Sequence, residues 1–222
     1  AGSVWFYVTA GHILRDIQAS IMAGGEFDVW RLDDQAAGGQ FRGVAIPYAF
    51  DIGSWLVIED EEIGLDFGAV ELDGIYRMQL EAGGANPIGK VAWGDHLAEH
   101  DHWVLVGIPS ETVKYDQETI ITGRTVMIPL DHADEPELAG RKAENQFYAR
   151  LKNVGDVKEI DGMSGGPVFA LKKIEGEWRY SVIGVQSGWY RTTRTIAVCP
   201  FSSLGTALEE RAKSAKLLQN RA

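Results

Sequence analysis

Late in the chain of 222 residues stands the stretch Gly162-Met163-Ser164-Gly165-Gly166-Pro167, in which a serine is enclosed by three glycines. Taken alone, this composition is typical of an ordinary turn. A serine hydroxyl is a poor nucleophile at neutral pH unless a base accepts its proton and an acid orients that base. The question is therefore whether a histidine and a carboxylate stand elsewhere in comparably marked settings.

Two earlier segments meet this requirement, namely Val8-Thr9-Ala10-Gly11-His12 and Leu65-Asp66-Phe67-Gly68-Ala69-Val70. The order along the chain is His, Asp, Ser, with separations of 54 and 98 residues. The serine stretch also satisfies the G-x-S-x-G pattern of α/β-hydrolases, but that fold needs its histidine after the serine. Because the last histidine is His132, a lipase or esterase is excluded.

The three segments together resemble the chymotrypsin-like (trypsin-like) serine peptidases, in the glycine-containing and disulfide-free form typical of bacterial members. A fourth segment, Gly184-Val185-Gln186-Ser187-Gly188-Trp189, resembles the strand that lines the substrate cleft of that family. The resemblance implies an all-β fold with two antiparallel six-stranded barrels, the catalytic residues between them, and no cofactor or metal.

The resemblance also implies a role for each matched residue. Ser164 would attack the carbonyl, His12 would act as general base and then acid, and Asp66 would orient His12. The backbone N–H groups of Gly162 and Ser164 would form the oxyanion hole. Ser187 would hydrogen-bond Asp66.

Substrate-binding roles follow from the same resemblance for Ser187, Gly188 and Trp189, and for Lys158 at the base of the specificity pocket. A cation there favours an acidic side chain before the scissile bond, with a small or apolar residue as the alternative. The acids Glu159 and Asp161 flank this loop and compete for the charge of Lys158.

Two departures from the family matter. Eleven residues precede His12 where the family usually has about forty, so the first barrel is incomplete, closed differently, or cut from a longer chain. Met163 stands where zymogen-type members carry the aspartate that captures a new N-terminus. We therefore expect control by a regulatory partner, by a parent-chain domain, or by ordering of the loop Gly155–Gly162.

Short strands dominate the expected secondary structure, because apolar residues alternate over brief segments between Gly, Asn, Asp and Pro. Two helices are expected, one over Ile13–Met22 and one capped by Ser203. A change of pattern over Ala82–Asp101 divides the domain into an N-terminal lobe, residues 1–90, and a C-terminal lobe, residues 91–222. The expected strands are Phe27–Leu32, Val44–Phe50, Phe67–Leu72, Trp103–Ile108, Thr125–Leu130, Phe147–Leu151, Pro167–Leu171 and Trp178–Val185.

Composition limits the classes of partner that the chain is expected to bind. The net charge is −11 and the pI is near 4.9, which disfavours nucleic-acid binding. No apolar run has the roughly 20 residues that a membrane span needs, and no signal peptide opens the chain. The whole imbalance lies in residues 1–100, densest at Glu59-Asp60-Glu61-Glu62, which is either a solvated face or a guide for a basic partner.

The remaining candidates for catalytic or metal-binding residues have weaker support. The single cysteine, Cys199, lies in an apolar stretch typical of a buried thiol, and it favours a reducing, cytoplasmic compartment. Three histidines and three acids between residues 95 and 102 could ligate zinc, although a polar connector is the preferred interpretation. The zinc candidates are Asp95, His96, Glu99, His100, Asp101 and His102.

The sequence thus predicts a serine endopeptidase that acts on a protein or peptide substrate through an acyl-enzyme. The alternative is a catalytically silent pseudopeptidase that binds a peptide or protein in the same cleft.

Overall fold

The computed structural model describes residues 4–27, 30–32, 46–116, 120–137, 145–152 and 157–219. Sixteen regular helices and strands lie in these ranges, in the order β1 (Trp5–Thr9), α1 (Gly11–Met22), β2 (Arg31–Leu32), β3 (Ile46–Pro47), β4 (Leu56–Asp60), β5 (Leu65–Leu72), α2 (Gly74–Ala82), β6 (His102–Gly107), β7 (Lys114–Asp116), β8 (Ile120–Thr122), β9 (Val126–Ala133), β10 (Phe147–Leu151), β11 (Pro167–Ile174), β12 (Glu177–Tyr190), β13 (Thr195–Pro200) and α3 (Phe201–Gln219).

Six strands of the second half form a closed antiparallel barrel in the order β10-β13-β12-β11-β6-β9. Its interior is filled by apolar side chains from alternate positions of the strands, as a small barrel requires. Met163 joins this interior from the loop before β11 and is 1% exposed. The predicted fold class, mostly β with a barrel and a C-terminal helix, is confirmed.

The first half contains a smaller antiparallel sheet in the order β1-β5-β4, with β2 and β3 paired separately. Helix α1 packs on the central strand β5, and glycine makes this approach possible. A Cβ at Gly68 would lie 2.5 Å from Leu14 Cδ1, so a side chain there would displace the Leu14 side chain that packs on the strand. This sheet and helix carry His12 and Asp66.

Several boundaries differ from the sequence predictions. The strands expected over Phe27–Leu32 and Val44–Phe50 fall partly outside the described residues, and their described parts contain only β2 and β3. Helix α1 begins at Gly11, two residues early, and α3 begins at Phe201 rather than after a Ser203 cap.

Helix α2 is not expected from the sequence. The side chain of Asp73 caps it by accepting hydrogen bonds from the N–H groups of Ile75 and Tyr76. An Asp at this position is a strong start signal, but the helix has no fully buried residue and therefore only a weak apolar pattern. The division into lobes at residue 90 stays a prediction; the first lobe hereafter denotes the sheet β1-β5-β4 with α1, and the second lobe denotes the barrel with its loops.

A shared core joins the first sheet, the barrel and α3. Phe67 and Ala69 of β5 pack with Val182 and Val185 of β12, and with Leu204 and Leu208 of α3. Phe67 and Leu204 are both fully buried. None of the helices in the described ranges has the length and apolarity to cross a membrane.

We predict that Phe67→Ala lowers the free energy of unfolding by about 3–5 kcal/mol, because it empties a fully buried site in the shared core. Urea denaturation followed by tryptophan fluorescence measures this loss. Val91→Ala is the control, since Val91 is 99% exposed and its loss leaves the core intact. A loss below about 1 kcal/mol for Phe67→Ala would show that this core does not hold the lobes together.

Candidate active site

The N-terminus of α1 is capped by a side chain from another element. Ala10, the residue before the helix, offers no capping group. Instead the backbone N–H of His12 donates to Oδ1 of Asp66, on β5, over 2.7 Å. A carboxylate here satisfies a helix N–H that lacks an intrahelical acceptor and lies at the positive end of the helix dipole.

The second oxygen of the same carboxylate contacts the imidazole. Oδ2 of Asp66 lies 2.6 Å from Nδ1 of His12, and the two side chains are 16% and 23% exposed. The carboxylate therefore holds both the backbone and the ring of one residue. This arrangement leaves Nε2 as the ring nitrogen that faces away from Asp66.

The hydrogen bond that the Asp66 carboxylate accepts from the imidazole raises the pKa of His12 above the ordinary value of 6.5. Burial opposes this effect, while the negative charges of Asp66 and Asp16 add to it. The raised pKa means that the folded protein binds the imidazole proton more tightly than the unfolded chain. The stability from this pair is therefore full below the unfolded pKa and is lost as the pH rises through the folded pKa.

The position directly before the histidine has no room for a side chain. A Cβ on Gly11 would lie 2.8 Å from Cγ of Glu59 and 3.0 Å from Oδ1 of Asp66. Any side chain at residue 11 would therefore displace the carboxylate that caps the helix. Glu59 is itself held by an ion pair with Arg15, 2.8 Å long.

The turn that carries Ser164 packs against the chain just before His12. Gly165 has a φ of +88°, and a Cβ on it would lie 2.6 Å from Oγ1 of Thr9 and 2.8 Å from the nitrogen of Ala10. On the other side of the serine, buried Met163 anchors the turn in the barrel. The loop before β11 is thus brought to the residues directly before His12.

Backbone N–H groups around Ser164 divide into two sets. Those of Met163, Gly165 and Gly166 donate to carbonyl oxygens over 2.8–3.0 Å. Among the described residues, the N–H groups of Gly162 and Ser164 have no acceptor, and the Ser164 hydroxyl makes no hydrogen bond with His12.

A cavity of about 600 Å³ lies beside the His12–Asp66 pair. Ser187 and Gly188 line it, and their substrate-binding role stays a prediction. The predicted hydrogen bond from Ser187 to Asp66 is not found among the described residues, where the Ser187 hydroxyl accepts a hydrogen bond from Gln146, 3.3 Å away.

Ser164 and Gly162, like Lys158 and Trp189, lie outside the described lining of this cavity. Lys158 is exposed, and its backbone N–H donates to Glu111. The indole N–H of Trp189 donates to Glu159 over 3.3 Å. The specificity assigned to Lys158 stays a prediction.

The charges around Lys158 are arranged differently from the sequence expectation. Glu159 and Asp161, which are expected from the sequence to compete for Lys158, both form ion pairs with Arg191. These two acids therefore offset the charge of Arg191 rather than that of Lys158.

Other lining residues are not found by sequence reasoning. Gln146, Tyr148 and Tyr190 come from the second lobe, and Asp16 with Glu59 from the first. Burial raises the pKa of Tyr148 to about 12, so this phenol is neutral at physiological pH. Only the Glu59 run carries a sequence signal, as a dense block of acids.

The zinc candidates have separate partners. The ring of His100 contacts the carbonyl oxygen of Asp95, and that of His96 stacks on Phe147. Asp101 accepts from the N–H of Lys173 in β11. Within the described ranges, no three His, Cys, Asp or Glu side chains form a group able to hold a metal ion.

No protein-family model and no curated protein matches the sequence. Among solved structures, the chain is similar to the murine norovirus NS6 protease, with a TM-score of 0.42, 12% identity, and coverage of 88% of this chain and 80% of the other. An inactive NS6 variant, in which a cysteine is replaced by alanine, gives a TM-score of 0.43 with 12% identity, covering 88% of this chain and 83% of that chain. The tobacco vein mottling virus protease gives a TM-score of 0.29 with 12% identity, covering 62% of this chain and 48% of that chain.

We predict that Asp66→Asn lowers the pKa of His12, because the amide no longer stabilises the imidazolium while burial still disfavours it. Titration of the His12 ring signals by NMR measures the change. Asp131→Asn is the control, since Asp131, on strand β9, pairs with Lys152 and does not line the cavity. An unchanged His12 pKa in Asp66→Asn would show that the carboxylate is not what raises it.

Proposed function

We propose that the protein is a serine endopeptidase of the chymotrypsin-like type, in the disulfide-free form typical of bacterial members. The observation that carries the proposal is the double contact of Asp66 with His12, beside an open cavity and a serine turn packed against Thr9 and Ala10. A protein or peptide chain would be the substrate.

In the proposed reaction, Nε2 of His12 accepts the proton of the Ser164 hydroxyl as its oxygen attacks the substrate carbonyl. The resulting imidazolium is stabilised by Asp66, whose hydrogen bond already raises the pKa of His12. The same proton then passes to the leaving amine, which gives an acyl-enzyme. Water, deprotonated by His12, hydrolyses that ester and restores the serine.

The oxyanion of each tetrahedral intermediate would be bound by the N–H groups of Gly162 and Ser164. These two donors have no acceptor among the described residues, while their neighbours are engaged in the loop. Donors that are fixed before reaction stabilise developing charge without reorganisation, and one such donor contributes about 10²–10³-fold in turnover.

A serine is favoured over a thiol as the nucleophile. Cys199 is fully buried, burial raises its pKa, and its thiol donates to the carbonyl of Gly64. A buried thiol with a raised pKa is unreactive at neutral pH. A lone buried cysteine also suits a reducing compartment, so a cytoplasmic location belongs to the proposal.

The second candidate function is a pseudopeptidase that binds a peptide in the same cavity. Its supporting observation is that the Ser164 hydroxyl forms no hydrogen bond with His12 among the described residues. A catalytic hydrogen bond of this kind often tightens only when substrate is bound, so reactivity decides between the two candidates.

We predict that Ser164→Ala and His12→Ala each lower peptide hydrolysis by about 10⁶-fold, to background, while unfolding curves stay close to the parent. Ser202→Ala, an exposed serine on α3, is the matched control and keeps full activity. A fluorophosphonate should label the parent and the control, but not Ser164→Ala. A parent protein that never reacts with the probe would establish the pseudopeptidase.

We also predict that activity does not depend on a free N-terminal amine beside the site. Met163 lies in the barrel interior where zymogen-type enzymes place a carboxylate, so an inserted ammonium has no partner there. Proteins with and without a short polar extension before Ala1 should hydrolyse the same peptide at equal rates. A loss of activity on extension, restored by cleavage, would count against this view.

A further inference from the structure

A hydrogen-bond network links the two lobes behind the candidate catalytic pair. It involves Gln146, Ser187 and Cys199 of the second lobe and the turn Ile63–Gly64 of the first. None of these residues takes part in the proton transfers described above. The turn, however, comes directly before the strand that carries Asp66.

The turn is attached to the second lobe at two successive carbonyl groups. The N–H of Asn145 donates to the oxygen of Ile63 over 3.0 Å, and the thiol of Cys199 donates to the oxygen of Gly64 over 3.2 Å. Gly64 has a φ of +79°, so the chain reverses there directly before β5 begins at Leu65. Asp66 is the second residue of that strand.

Gln146 completes the network as a hydrogen-bond donor to two of its members. Its Nε2 donates to the hydroxyl oxygen of Ser187 over 3.3 Å and to the sulfur of Cys199 over 3.7 Å. The sulfur thus accepts from Gln146 and donates to Gly64. A side chain at residue 199 must therefore both accept and donate to preserve the connection.

The consequence concerns alignment between the lobes. The carboxylate of Asp66 contacts His12 within the first lobe, whereas Ser187 lies on β12 of the barrel and Ser164 on the loop before β11. We propose that Gln146 is a positioning residue, which together with Cys199 fixes the turn before Asp66 against the barrel and so aligns the His12–Asp66 pair with the second lobe. This inference rests on the proposed function for its kinetic consequences.

The test compares variants that break or preserve the hydrogen bonds from Gln146 to Cys199 and from Cys199 to Gly64. Gln146→Leu removes the donor at a half-buried position, and Cys199→Ala removes the central link at a buried one. Cys199→Ser keeps an atom that accepts and donates. Gln79→Leu, on the exposed face of α2, is the matched control for Gln146→Leu.

The first measurement does not depend on hydrolysis. In a Ser164→Ala background, NMR titration of His12 should show a lower pKa in Gln146→Leu and Cys199→Ala, because a misplaced Asp66 stabilises the imidazolium less. Cys199→Ser and Gln79→Leu should keep the pKa of the parent. The other charged groups near this ring are unchanged in all variants, namely Arg15, Asp16, Glu59, Asp60 and Glu61.

The second measurement is kinetic. With Ser164 present, Gln146→Leu and Cys199→Ala should lower kcat by about 10-fold, since small displacements of catalytic groups have effects of this size or more. KM should stay within about twofold of the parent, and the acid limb of the kcat/KM profile should move to lower pH. Cys199→Ser should restore both kcat and the profile.

The outcomes are separable. If the parent hydrolyses no peptide, the proposed function fails, and the NMR titration still decides on Gln146. If Gln146→Leu lowers the melting temperature but leaves the His12 pKa unchanged, the network is merely structural and the inference is overturned. The inference is overturned as well if Cys199→Ser behaves as Cys199→Ala does. If Cys199→Ala fails to fold, Gln146→Leu carries the comparison.

Discussion

The candidate site depends on one carboxylate that serves two parts of the same residue. Asp66 accepts the backbone N–H of His12 through one oxygen and contacts Nδ1 through the other. The first contact fixes the start of α1, and the second fixes the imidazole on that helix. Because both contacts involve one rigid group, helix position and ring orientation cannot vary independently. Glycine at residue 11 is the steric condition for this arrangement.

The second lobe contributes the serine turn through a different kind of constraint. Met163 holds the turn from inside the barrel, while Gly165 lets it approach Thr9 and Ala10 of the first lobe. Met163 buries its side chain in the barrel and Gly165 has no side chain, and Ser164 stands between these two residues in the sequence. The site is therefore assembled from two frameworks that meet through backbone contacts and the shared core around Phe67.

The sequence predicts the parts of this arrangement that have local signals. Five of the six barrel strands (all but β13), α1, α3 and the segments of His12, Asp66 and Ser164 are recognisable because each has its own pattern of glycines or apolar residues. The hydrogen bond between Ser187 and Gln146 is not predicted, because the expectation for Ser187 rests on the family resemblance and no local pattern indicates Gln146 as its partner. Gln146 is missed altogether, since its partners stand 41 and 53 residues away.

The C-terminal helix has a consequence for the order of folding during synthesis. Leu204 and Leu208 complete the core that Phe67 shares with the barrel, yet they are translated after both Asp66 and Ser164. While they remain in the ribosome exit tunnel, the two lobes lack part of the surface that joins them. The core between the first sheet and the barrel is therefore completed only after residues 204–208 have left the tunnel.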